Sequence, residues 1–227
     1  GSNKNRLIES KKAIEFCKSL NENILIEIGT DENLGDKFAL NSLDDIENEI
    51  DYFSTFSKPE FFVVQTGSLV MEINQVGSFN TEFCREVSEM IRSKGLKFKE
   101  HNADYLSTDS LKWQPRLGIH AANIAPEFGV AESKAFIDLM ENSNQNILLE
   151  EFLRISYDSK KWEKWMINAT SASDKDKAII SGHYIFSTSE CLELKNRARF
   201  HIKDLDTQLK NKVKESVFRY MKAFNLV

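Results

Sequence analysis

The sequence predicts an α/β fold of about four βα units, the C-terminal half of a TIM-type (β/α)8 barrel, followed by a helical C-terminal extension. Three observations carry this expectation. Short apolar runs alternate with stretches of helical periodicity through the first 145 residues. Glycine and polar residues follow each apolar run, as they do where a chain leaves a buried parallel strand. From Ile147 onward only the helical pattern persists. A complete barrel needs eight units and about 250 residues, so a chain of 227 residues with a long helical tail has room for about half of one. The expected division is a tag remnant at 1–2 (Gly1 and Ser2), a partial barrel over 3–145, and a helical extension over 146–227 packed on the barrel.

Leu7, Ile8, Ala13, Ile14 and Cys17 recur at helical spacing over 6–20, and the apolar run at 24–28 is the first expected strand, ended by Gly29. Ser42 followed by Asp44 and Asp45 reads as an N-cap with first-turn carboxylates, which the helix dipole favours, and starts a helix running to about Phe56. Phe61, Phe62, Val63, Val64 and Gln65 form the second strand, closed by Thr66 and Gly67. Phe83, Val87, Met90 and Ile91 define an amphipathic helix over 81–94 that Gly95 is placed to terminate. A third strand is expected at 96–100, leading into His101, Asn102, Ala103, Asp104 and Tyr105. A short helix over 107–114 and a fourth strand over 117–121 follow, with His120 as a hydrogen-bonded interior residue of that strand. In the tail, apolar faces are expected on 147–155, around Trp162, Trp165 and Met166, and on Val213, Val217, Phe218, Met221 and Phe224. A polar helix-starting loop covers 171–177.

Composition narrows the function classes. The net charge is −5 and the Lys and Arg residues form no concentrated block, so nucleic acid is not an expected partner. There is no apolar stretch approaching the ~20 residues that cross a bilayer and no basic-then-apolar leader, so no membrane partner and a cytoplasmic location are expected. The three cysteines, Cys17, Cys84 and Cys191, are far apart and lack CxxC spacing, which suits reduced thiols. The absence of a Gly-x-Gly-x-x-Gly, a Walker lysine and a serine elbow sets aside nucleotide cofactors and serine hydrolysis. A half-barrel sheet leaves strand edges that invite pairing, so association as a homo-oligomer or with the missing half is expected.

In a parallel barrel the βα loops bring side chains from several strand ends to one point. His101 follows a strand and precedes Asp104 by three residues, which suits a metal ligand or a proton-transfer residue held by a neighbour; a capped loop histidine is the simpler role. Asp31 could contact a metal or sugar hydroxyls, whereas Glu32 reads as a solvated acid. The strand-to-helix step from Asn123 through Glu127 to Gly129 is where barrels hold phosphate on backbone N–H groups, or else a tight loop that Pro126 and Gly129 only shape.

The segments 28–31, 63–67, 101–105 and the Asn123 loop occur in order, followed by Lys161, Trp162, the stretch 181–199 and the closing Val217, Phe218, Arg219, Tyr220. Together they resemble the C-terminal half of the non-catalytic subunit family of class II D-tagatose-1,6-bisphosphate aldolase, over nearly the whole chain. The resemblance implies a carbohydrate-metabolism protein related to zinc-dependent aldolases, in which strand-end histidines hold a metal that stabilises an enediolate. His101 then matches a metal-ligand position, Asp31 stands where the family has a glutamate, and Asn123 resembles the substrate-contacting asparagine of the catalytic relatives. With the strand-end positions, the expected site has Asp31 and Asp104 as catalytic carboxylates, Gln65, Asn123, Glu127 and Gly129 as substrate contacts, and His101 for the metal. The family's Gly-Asp-His segment is absent, and Gln65 replaces a histidine of the catalytic relatives, so any zinc site is incomplete in this chain. The expected function is a supporting subunit that binds a sugar phosphate and assembles with a catalytic aldolase subunit or with itself. The alternatives are a metal-dependent ketose or ketose-phosphate aldolase or epimerase whose N-terminal half lies outside this chain, and a scaffold without a ligand.

Overall fold

A computed structural model describes residues 3–29, 42–167 and 169–227. The chain is α/β, and its elements in order are α1 (Asn3–Leu20), β1 (Glu27–Gly29), α2 (Leu43–Ser54), β2 (Phe61–Val64), β3 (Val70–Met71), β4 (Asn74–Gln75), α3 (Thr81–Ser93), β5 (Lys97–Glu100), α4 (Thr108–Arg116) and β6 (Ala121–Ala122). The helices α5 (Pro126–Asn142), α6 (Asn146–Asp158), α7 (Asp174–Ile185), α8 (Ser189–His201) and α9 (Leu205–Ala223) complete it, with a 3-10 turn at Glu163–Trp165. The chain divides into two compact units. Unit 1 draws on residues 1–67, 79–101 and 113–123, and unit 2 on 68–78, 102–112 and 124–227.

Unit 1 is built on a parallel sheet of order β1-β2-β5-β6, in which Phe62 pairs with Ile28 and Phe98, and Lys99 pairs with Val63 and Ala121. Period-two alternation puts Phe62, Val64 and Phe98 into a core shared with Ile46, Ile50 and Phe53 of α2 and Cys84, Val87 and Ile91 of α3. Each large core side chain contributes about 1.5–3 kcal/mol through removal from water. In β5 the positions on either side of Phe98 carry charge: Lys99 Nζ lies 2.7 Å from Glu27, and Lys97 pairs with Glu60 over the Phe61 ring. Ser42 caps α2 by accepting from the Asp45 N–H, and Gly95 adopts φ +73° beyond the end of α3, both as the residue types require.

Two strands differ from expectation. The first begins at Glu27, and Ile24 and Leu25 before it are 38% and 75% exposed. The fourth shrinks to Ala121–Ala122, because the N–H groups of Leu117 and Ile119 bond back to the Gln114 carbonyl, both at 3.1 Å, around Gly118 at φ +82°. Leu117 and Ile119 are buried by that turn and add nothing to the sheet ladder. His120 is exposed and lies outside the strand, with its Nδ1 accepting from the Phe98 N–H at 3.2 Å.

Unit 2 holds the antiparallel β3–β4 pair and the helices α5 to α9. Its core centres on Phe136 of α5, Phe152 of α6 and Phe186, with the first two rings in an edge-on contact at 5.0 Å. Helices α5 and α7 approach closely: a Cβ on Gly129 would lie 2.4 Å from the His183 ring, and one on Gly182 would lie 2.4 Å from Ser133 Oγ. Helix α7 starts where the polar 171–177 stretch predicts a helix start, with a reciprocal capping box between Ser173 and Asp176. Among the described residues, no helix is long and apolar enough to cross a membrane.

Candidate functional site

In unit 1 the site-bearing residues are continuations of the sheet ladder. The His101 N–H donates to Val64 O at 3.1 Å, and the Asn123 N–H donates to Glu100 O at 2.9 Å. Two adjacent parallel strands are thereby extended by one residue each, and the two side chains meet, with Asn123 Nδ2 3.2 Å from His101 Nδ1. An amide nitrogen has only N–H groups to offer, so the amide donates and Nδ1 accepts. Gln65, 5% exposed, stands at the end of β2, the strand on the other side of β5. The Thr66 hydroxyl, next in sequence to Gln65, donates to the buried Glu100 carboxylate at 2.6 Å. Burial, with the neighbouring Glu100 charge, pushes the Cys84 thiol up to about 12, so it is a protonated core residue.

In unit 2 a second polar group surrounds the start of α5. Ala125, the N-cap residue, supplies no capping side chain; Asp104 Oδ1 does so from another loop, accepting the N–H groups of Ala125 at 3.0 Å and Glu127 at 2.8 Å. Burial pushes the Asp104 carboxyl up to about 6, against the lowering effect of those two hydrogen bonds, and the Glu127 charge adds to the rise. Glu127 accepts from the Tyr105 N–H at 2.6 Å, from the Tyr220 hydroxyl, and from Arg219 Nη2 at 2.7 Å. Arg219 also donates to Leu106 O at 2.9 Å. Asn102 and Tyr105 sit at φ +60° and +59°, and Gln75 of β4 secures that loop by donating to the carbonyls of Asn102 at 3.1 Å and Asp104 at 2.9 Å.

The sequence-derived candidates thus fall into separate groups. His101, Asn123 and Gln65 lie at strand ends of unit 1. Asp104 and Glu127 lie in unit 2, where backbone and side-chain donors already occupy their carboxylates. Gly129 lies within α5 against His183, where its small size serves helix packing. Asp31 lies outside the described residues. Among the described residues, no group of three or more His, Cys, Asp or Glu is arranged to hold a metal ion, so they do not assemble the three-ligand set a catalytic zinc needs. Gln75, Thr66, Glu100 and the Arg219–Tyr220 pair join these polar groups without a site pattern of their own in the sequence. Only an alternating run marks Glu100 in the sequence, and no local pattern links residues 219 and 220 to residue 127.

No family model matches the chain, and no curated protein sequence matches it. Among solved structures it is similar to the "probable tagatose 6 phosphate kinase" of Sinorhizobium meliloti, with a TM-score of 0.68 at 13% identity, over 88% of this chain and 62% of that one. It is also similar to the fructuronate-tagaturonate epimerase UxaE of Cohnella laeviribosi, with a TM-score of 0.64 at 10% identity, over 95% of this chain and 50% of that one. At such identities the likeness shows the fold alone. The chain spans between 50% and 62% of the length of these two structures.

Proposed function

We propose that this chain is a carbohydrate-metabolism protein that binds a sugar phosphate as the supporting subunit of an assembly of the class II tagatose-bisphosphate aldolase kind. The observation that carries this reading is the His101–Asn123 pair at adjacent parallel strand ends, 3.2 Å apart. An imidazole and two carboxamides, counting Gln65, offer both donors and acceptors to hydroxyl and phosphoryl oxygens. The names of the similar structures concern ketose derivatives, which agrees with this reading. The partner is a catalytic aldolase subunit or a second copy of the chain. Titration calorimetry with tagatose 6-phosphate tests the site: saturable binding that His101→Ala and Asn123→Ala each weaken by about tenfold or more supports it. No binding, or binding unchanged in both variants, overturns it.

The similarity to an epimerase favours one second reading, a metal-dependent ketose or ketose-phosphate aldolase or epimerase in which His101 is one zinc ligand. The two readings separate in the assembled complex. If the chain is a supporting subunit, His101→Ala leaves the partner's turnover intact; if it supplies catalytic groups, His101→Ala removes turnover while assembly is unchanged.

A further inference from the structure

The apolar stripe of Val213, Val217, Phe218 and Met221 is, by its periodicity, the face on which α9 should bury itself. It does not. Helix α9 packs through Leu205, Leu209, Tyr220 and Ala223, leaving Val213, Val217 and Met221 half-buried and Phe218 47% exposed. This neighbouring stripe lines a groove of about 640 Å³ in unit 2, reaching Glu132 of α5 and Lys195 of α8.

The charges around the groove are unbalanced. Its two acids are already engaged, Glu132 by Lys195 at 3.8 Å and Asp206 by Arg199 at 2.8 Å. Lys210 and Lys214, one helical turn apart on the groove wall, have no ion-pair partner among the described residues. From Lys210 to Met221 the wall runs for roughly 17 Å, about three turns of helix. An apolar strip of that length with two uncompensated positive charges set among its apolar side chains is the complement of an amphipathic helix that carries acidic residues beside its apolar ones.

We propose that this flank of α9 is a docking groove for an acidic amphipathic helix of a partner protein, with apolar side chains over Val213, Val217 and Phe218 and carboxylates against Lys210 and Lys214. Fluorescence anisotropy with a labelled synthetic helix of about 18 residues, leucines at i, i+3, i+4 and i+7 and glutamates alongside, tests it. Saturable binding is expected, weakened by salt and reduced about tenfold or more in K210E/K214E. The same peptide with lysine for glutamate should bind K210E/K214E better than the unaltered chain. Both lysines are exposed, so this variant keeps its fold, which circular dichroism checks; Val217→Asp is a second variant that should abolish binding. Absence of binding, equal binding of the acidic and basic peptides, or a self-associated chain in sedimentation that Val217→Asp dissociates would each overturn the proposal, the last by making the groove a contact between copies.

Discussion

In unit 2 the carboxylates of Asp104 and Glu127 take up five protein donors: three backbone N–H groups, a tyrosine hydroxyl and a guanidinium. In unit 1 the side chains that follow β5 and β6 are an imidazole and a carboxamide that meet each other. Both groups follow strands in the sequence, and both look like loop chemistry there. What separates them is where their hydrogen-bonding capacity goes. A carboxylate that accepts backbone N–H groups is part of the fold, since those donors would be left unsatisfied without it. An amide and an imidazole paired side chain to side chain can exchange that contact for one with a ligand at little cost to the backbone.

The largest test of this contrast is Glu127→Ala. It leaves the Tyr105 N–H, the Tyr220 hydroxyl and Arg219 without their shared acceptor, and should cost about 3 kcal/mol in urea denaturation. A loss below about 1 kcal/mol would show that unit 2 does not depend on this carboxylate.

Asp104 gives a pH signature of opposite sign to that of a salt-bridged acid. Its folded value, about 6, lies above the ordinary 3.8, so between these values the folded chain binds more protons than the unfolded one. This residue's contribution to stability is therefore greatest below pH 4 and is lost as pH rises through 6, with a total of about 3 kcal/mol. Asp104→Asn keeps a side-chain oxygen for the α5 N–H groups and removes the titration. Denaturation midpoints at pH 4.5, 5.5 and 7 should converge between the two proteins at the acid end, with the variant the more stable at pH 7.

Packing rather than polarity decides the next effect. Gly129→Ala places a methyl against the His183 ring and should cost about 2 kcal/mol, and the added change His183→Ala should recover part of that loss. If Gly129→Ala is neutral for stability but weakens sugar-phosphate binding, Gly129 belongs with the strand-end group instead.

Much of unit 1 is legible in the sequence because local signals govern it: the Ser42 cap, the spacing of Val87 and Ile91, and the apolar pairs Phe62 with Val64. The fourth strand is misplaced because apolar alternation cannot tell a ladder residue from one that plugs a turn, as Leu117 and Ile119 do. The β3–β4 pair leaves almost no trace: each strand has two residues, and Glu72, at φ +55°, supports its turn by bonding to Trp165 O and receiving a bond from Thr170. Helix α9 shows the same limit, since two neighbouring stripes are apolar and the periodicity does not say which one the core takes. In the polar groups, the types and positions of His101, Asn123, Asp104 and Glu127 are visible along the chain. Which of them are consumed by folding depends on Arg219 and Tyr220, more than 90 residues from Glu127 in sequence.

The smallest expected effect on stability falls where the largest effect on binding is proposed. His101 and Asn123 are half-buried, and the contact between them is a single hydrogen bond, whose removal costs about 1 kcal/mol. Their main-chain bonds to Val64 and Glu100 are made by backbone atoms, which substitution by alanine leaves in place. Asn123→Ala should therefore shift the urea midpoint only slightly. A large loss of stability in Asn123→Ala would make the strand ends of unit 1 structural in the same sense as the Glu127 cluster, and the contrast between the two units would disappear.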